Sequence, residues 1–91
     1  MDVYVPIIPP EDLVHIVFTK SLVQEKRNRL KKKLVDAMKN GNTNKIKYRI
    51  FFETQNGLLS VITTIWFVGK EYILVKGNIA IPISSINEIK I

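Results

Sequence analysis

Residues 45–68 read KIKYRIFFETQNGLLSVITTIWFV, and the fold turns on how this stretch is parsed. Ile46, Tyr48, Ile50 and Phe52 alternate with Lys45, Lys47, Arg49, Phe51 and Glu53. A period of two sends one set to a core face and the other away from it. Asn56-Gly57 interrupts the alternation with residues that tolerate the positive φ of a tight hairpin turn. Leu58 to Val68 is then apolar or β-branched at almost every position. That composition predicts a long central strand, bent so that each half buries a different face.

Downstream the grammar repeats in shorter units. Gly69-Lys70 turns into Tyr72 to Lys76, and Gly77-Asn78 turns into Ile79, Ile81 and Ile83. Pro82 places that strand at an edge or at its end, because proline has no N–H for a ladder. Ser84-Ser85 leaves room for one helical turn before Ile86 to Ile91. Burial is expected for Ile50, Phe52, Ile65, Ile73, Val75, Ile81 and Ile86.

Upstream, the spacing predicts a helix over 21–39. Val23, Leu30, Leu34, Ala37 and Met38 share one face, and Arg29, Lys32, Asp36 and Lys39 lie opposite. Ser21 is the expected N-cap, and Asn40-Gly41 the expected left-handed stop. Arg27 interrupts the apolar stripe, so the regular face is expected to begin near Asn28. Val3, Val5 and Ile7 read as a short edge strand ended by Pro9-Pro10. Pro10-Glu11-Asp12 suits a helical first turn, and Leu13 to Phe18 fits either a buried strand or a buried helical turn.

A helix followed by five short antiparallel strands, the second long and bent, with a one-turn break before the last, resembles SH3-like and Sm-like barrels. The likeness lies in residues 45–91, through the hairpin at Asn56-Gly57, the run Glu71-Tyr72-Ile73-Leu74-Val75-Lys76-Gly77-Asn78 and Ile81-Pro82-Ile83-Ser84-Ser85-Ile86. It is similar to bacterial Sm-like RNA chaperones of the host-factor type and to small Sm-like inhibitors of the Rho termination factor. It also resembles short uncharacterised bacterial proteins through Thr63 to Trp66 and the Ile81-Pro82-Ile83 ending. The resemblance implies an α+β domain in which an N-terminal strand and amphipathic helix precede a strongly bent five-stranded antiparallel sheet. Its parts would be an N-terminal segment (1–20), the helix (21–39) and the barrel (45–91) of one 91-residue domain. Host-factor chaperones carry a Tyr-Lys-His signature where this chain reads Ile81-Pro82-Ile83-Ser84-Ser85, so no uridine-pocket residue transfers.

Charge supplies the functional expectation. Residues 20–49 hold eleven of the fourteen Lys and Arg against Glu25 and Asp36, a balance of +9. Residues 1–19 carry −3, and residues 50–91 are neutral. Clustered charge creates a local field that attracts phosphates or acidic surfaces. Arg29, Lys32, Lys33, Lys45, Lys47 and Arg49 are the expected contacts of a non-enzymatic basic module that binds RNA or another polyanion. The alternative is a protein-interaction or regulatory subunit, a homodimer or adaptor, with no nucleic-acid role.

Aromatic residues on strands are expected mainly in the core, with Tyr48 or Phe51 the better stacking candidates and Phe51 lying under the helix. The 46% hydrophobic content and the apolar stretches Val3–Ile7 and Leu13–Phe18 predict self-association or a protein partner. The lack of cysteine excludes disulfides, thiolate metal sites and cysteine nucleophiles. His15, the lone histidine in an apolar run, is expected in the core or an interface. No catalytic, cofactor-binding or metal-ligating residue is assigned, and no cofactor is expected. The acidic, proline-broken start lacks the basic and apolar regions of a secretory signal, and no apolar run approaches a membrane span of about 18 residues. A soluble cytoplasmic protein is therefore expected.

Overall fold

A computed structural model describes residues 4–21, 27–44 and 46–91, with 27 and 42–44 described by their backbone only. The elements in chain order are β1 (Ile7–Ile8), a 3-10 turn (Pro10–His15), α1 (Arg27–Asn44), β2 (Tyr48–Thr54), β3 (Gly57–Thr63), β4 (Ile65–Val68), β5 (Tyr72–Val75), β6 (Ile79–Pro82), a second 3-10 turn (Ile83–Ser85) and β7 (Ile86–Lys90). The content is α+β, as expected. In place of one five-stranded barrel sheet there are a four-stranded sheet, ordered β1-β3-β2-β7, and a three-stranded sheet, ordered β4-β5-β6.

The long central strand divides at Thr64, which explains the difference. Up to Thr63 it pairs with β2, and from Ile65 it pairs with β5. The sheets thus share one bent run of backbone, yet β7 and β4 do not hydrogen-bond to close a barrel. Helix α1 packs against both of these strands. Covering a sheet edge with a helix shields its unpaired backbone groups.

Gly41 makes that approach possible. It was expected to stop the helix, but α1 continues to Asn44 and Gly41 is buried within it. A Cβ there would meet Thr64 Cγ2 at 3.2 Å and the Ile46 carbonyl at 3.3 Å. The glycine serves close packing, not left-handed backbone. Ser21, the expected cap, is buried against the C-terminal part of the chain, and residues 22–26, which it was expected to cap, lie outside the described residues. Its N–H donates to the Ser84 carbonyl at 2.7 Å, and its hydroxyl donates to the Asn87 side chain. Val23 lies outside the described residues.

One core joins both sheets and the helix. Leu30, Leu34 and Ala37 from α1 meet Ile50 and Phe52 from β2, and Ile65, Ile73, Val75 and Ile81 from the second sheet. All seven residues expected to be buried are so. The Cα radius of gyration, 12.1 Å, agrees with the ~12 Å of a compact chain this long.

The N-terminal segment has a place within its own chain. β1 pairs in parallel with β3, Ile7 opposite Ser60 and Ile8 opposite Val61. After the 3-10 turn, whose Leu13 is buried, Phe18 forms an antiparallel bridge with Thr54 on the other side of β2. Phe18 and Phe52 meet edge to face at 5.3 Å, a contact worth about 0.5–1.5 kcal/mol beyond its area. The segment thereby wraps one end of the first sheet, while its Ile7, Val14 and Val17 stay exposed. His15 is exposed in this turn and so lies outside the core, one of the two places expected for it.

Turn chemistry is local. Gly57, with φ of +100°, carries the left-handed conformation after Gln55-Asn56, and Asn56 is not itself left-handed. The Thr54 hydroxyl closes the hairpin by donating to the Gly57 carbonyl and accepting from the Asn56 N–H. Gly77 and Asn78, at +93° and +65°, turn β5 into β6.

Candidate functional site

Strand alternation determines which cations gather. In β2, Tyr48, Ile50, Phe52 and Thr54 are buried, so Arg49, Phe51 and Glu53 leave from the opposite, outer face. Lys47 follows the same alternation and is exposed. β7 adds a residue that the local sequence did not disclose. Lys90 lies directly opposite Arg49 in the ladder, 41 positions away in the chain.

These groups share one ring. The Arg49 guanidinium carbon is 4.7 Å from the Phe51 centroid, and Lys90 Nζ is 5.7 Å away. Both distances allow cation–π attraction, about 0.5–1 kcal/mol each at a surface. The ring's negative face offsets the repulsion between two like charges set opposite one another. Glu88 stands opposite Phe51 and Glu53 follows it, so the outer face runs from basic at Lys47 to acidic at Glu53.

Arg49 also fastens the fold. Its Nε donates to Ser60 Oγ at 3.0 Å, and its Nη2 donates to the Val5 carbonyl at 2.8 Å. The Ser60 hydroxyl in turn donates to the Pro6 carbonyl at 2.9 Å, as does the Ser60 N–H. Ser60 is completely buried although it belongs to the outer face, because this network and β1 cover it.

The other expected contacts fall elsewhere. Arg29, Lys32 and Lys33 are exposed on α1, and Lys45 lies outside the described residues. Helix α1 packs from the core side, whereas Arg49 leaves β2 from the other side. The helix cations and Arg49 therefore do not form one face, as packing of the helix beside β2 would have required. Phe51, expected beneath the helix, is on the side away from it. Tyr48 is buried, its hydroxyl accepting from Asn40 Nδ2 at 3.4 Å, and presents no stacking surface.

A second outer face was missed by sequence reasoning. Ile65 and Val68 point inward, so both Trp66 and Phe67 point outward, a pairing made possible by a register shift between Ile65 and Phe67. This β-bulge places an extra residue in β4 and breaks the strict alternation. The signal in sequence was two adjacent large aromatics, Trp66 and Phe67, which strict alternation would send to opposite faces.

Among the described residues, no group of three or more His, Cys, Asp or Glu is placed to hold a metal ion. No described helix is long and apolar enough to cross a membrane. Comparison of the chain with models of protein families, with curated proteins and with solved structures returns no match.

Proposed function

We propose that this protein is a non-enzymatic basic binding module whose ligand is RNA or another polyanion. The observation that carries this reading is the meeting of Arg49 and Lys90 at a partly buried Phe51 on the outer face of the first sheet, with exposed Lys47 preceding Arg49 by two residues. Exposed Arg29, Lys32 and Lys33 on α1 extend the positive field to a second side. Lysine-rich contacts position a phosphate backbone without reading bases, so weak sequence dependence is expected.

The test is a salt titration of oligonucleotide binding. Four or five phosphate contacts on a single strand give log K against log salt a slope of about −3 to −3.5. Replacing Lys32, Lys33 and Lys47 together by glutamate abolishes binding and leaves the thermal transition nearly unchanged, because exposed charges contribute little to stability. Undiminished binding by that variant, or no binding of RNA or DNA by the wild type at low salt, overturns the proposal in favour of a protein-docking subunit.

A further inference from the structure

The outer face of the second sheet is bare of charge across all three strands. Phe67 is opposite Leu74, which is opposite Ala80, and Tyr72 is opposite Pro82 one row further on. Directly paired residues share a face, so these five side chains lie together with Trp66 beside them. Trp66, Phe67 and Tyr72 are 45%, 49% and 46% exposed. Phe67 is held by packing at Gly69, where a Cβ would lie 3.1 Å from its Cε2 atom. The Gly69 N–H donates to the Tyr72 carbonyl at 2.8 Å, which brings Tyr72 alongside. Phe67 and Tyr72 are thus diagonal neighbours, roughly 7–8 Å apart by strand geometry.

Area and charge together select the occupant. An aromatic side chain offers of order 150–250 Å² in all, so three at about half exposure present roughly 300 Å². A stable protein interface needs about 800 Å² from each partner, of which these three rings would supply less than half. Two or three unpaired bases need far less, and every base has a π-face to set against a ring. The chain carries +6, and Lys70 and Lys76 stand exposed at the turns that end β4 and β5, with Glu71 the one acid beside them, so the rim of the face is net positive where a phosphate backbone would pass. The two outer faces also share a strand. Ile62 is opposite Arg49, and Trp66 follows it by four residues, at most roughly 13 Å of extended chain.

We infer that Trp66, Phe67 and Tyr72 form a base-stacking platform for single-stranded nucleic acid, whose backbone the cations of the first sheet also engage. This rests on the polyanion reading and adds to it a contact that is independent of salt. The expected ligand is an unpaired strand, since bases in a duplex are already stacked on one another.

The chain's single tryptophan, Trp66, is a direct reporter. The experiment titrates the full chain with a fluorescently labelled hexauridylate and with an abasic oligonucleotide of equal length. Label anisotropy reads binding, and tryptophan emission reads stacking. Hexauridylate should quench Trp66 and bind more tightly than the abasic strand, by roughly 5- to 160-fold for each base stacked. Phe67→Ala should lower affinity for hexauridylate alone, at unchanged salt slope. Tyr72→Ala should repeat this, so that a folding defect in one variant does not decide the matter, and Trp66→Phe, which keeps a ring, should retain binding. Equal affinity for both strands with unquenched Trp66 overturns the platform and leaves the polyanion reading standing. Failure of both strands to bind overturns the two together. A change in Trp66 emission with protein concentration alone, accompanied by a doubled mass in light scattering, assigns the face to a second copy and overturns the platform.

Discussion

The two sheets share a bent strand and a core, but they treat their outer faces in opposite ways. On the first sheet, β1 and Arg49 cover Ser60, and two cations lie against Phe51. On the second, Trp66, Phe67 and Tyr72 stand open with no charged residue in their rows. Each sheet contains one register irregularity, and the contrast extends to it. The shift opposite Phe51 and Phe52 in the first sheet falls at Asn87, whose side chain is taken up by the Ser21 hydroxyl. The shift at Trp66 in the second turns a large aromatic outward, where it is 45% exposed. The same backbone device thus fastens the fold in one place and displays a side chain in the other.

The largest expected effect tests whether the sheets are one cooperative unit. Ile73 belongs to the second sheet and is fully buried in a core that includes Ile50 and Phe52 of the first. Ile73→Ala should destabilise the protein by about 2–5 kcal/mol, the range for truncating a large buried aliphatic residue. Since the core is shared, amide exchange should accelerate in β2 as well as in β5. A loss of protection confined to β4, β5 and β6 would separate the sheets into independent units and weaken the comparison.

Legibility in the sequence follows the same division. Burial of Ile50, Phe52, Ile65, Ile73, Val75, Ile81 and Ile86 could be read because a period of two is a local signal. The break at Ser84-Ser85 and the turn at Gly77-Asn78 were visible for the same reason. Long-range pairing was not. Lys90 joins Arg49 only through the β2–β7 ladder, and nothing near Lys90 announces that partner. The bulge at Trp66 overrode alternation, so a residue expected in the core is exposed. Gly41 was misread because glycine after a polar helix face is commonly a stop, whereas here close contact with Thr64 and Ile46 uses its missing side chain. Of the six cations expected to bind, the sequence identified the exposed ones on α1 but not their separation from Arg49, which depends on where the helix docks.

An intermediate effect is expected where the first sheet fastens its own outer face. Arg49→Ala removes the donors to Ser60 Oγ and the Val5 carbonyl, as well as the closer of the two cations over Phe51. Hydrogen bonds from a charged group contribute about 1.5–3 kcal/mol, and solvent at this half-buried position should reduce the loss to about 1–2 kcal/mol. The change should be local, with residues 4–8 becoming sensitive to protease while the core of α1 and β5 keeps its protection. Loss of protection throughout the molecule would show that the N-terminal strand is integral to the core. Arg49 is consequently a poor choice for isolating a binding contribution, since its removal disturbs the surface that is to be tested.

Lys90 separates binding from stability most cleanly, and its expected effect on stability is the smallest. Lys90→Gln removes one cation from the Phe51 ring and, at the same time, the like charge opposite Arg49. The first loss destabilises and the second stabilises, each by a few tenths of a kcal/mol to about 1 kcal/mol. They nearly cancel, so unfolding free energy should change by less than about 0.5 kcal/mol, as for most surface substitutions. Binding should respond differently. Loss of one phosphate contact should make the slope of log K against log salt shallower by about 0.7 on a single strand. Phe67→Ala, on the other sheet, should leave that slope alone and lower affinity at every salt concentration. Measuring both variants over one salt series sharpens the contrast between the faces: a shallower slope for Lys90→Gln and parallel, displaced lines for Phe67→Ala. An unchanged slope for Lys90→Gln would remove the outer face of the first sheet from the binding surface and leave the cations of α1 to account for any salt dependence.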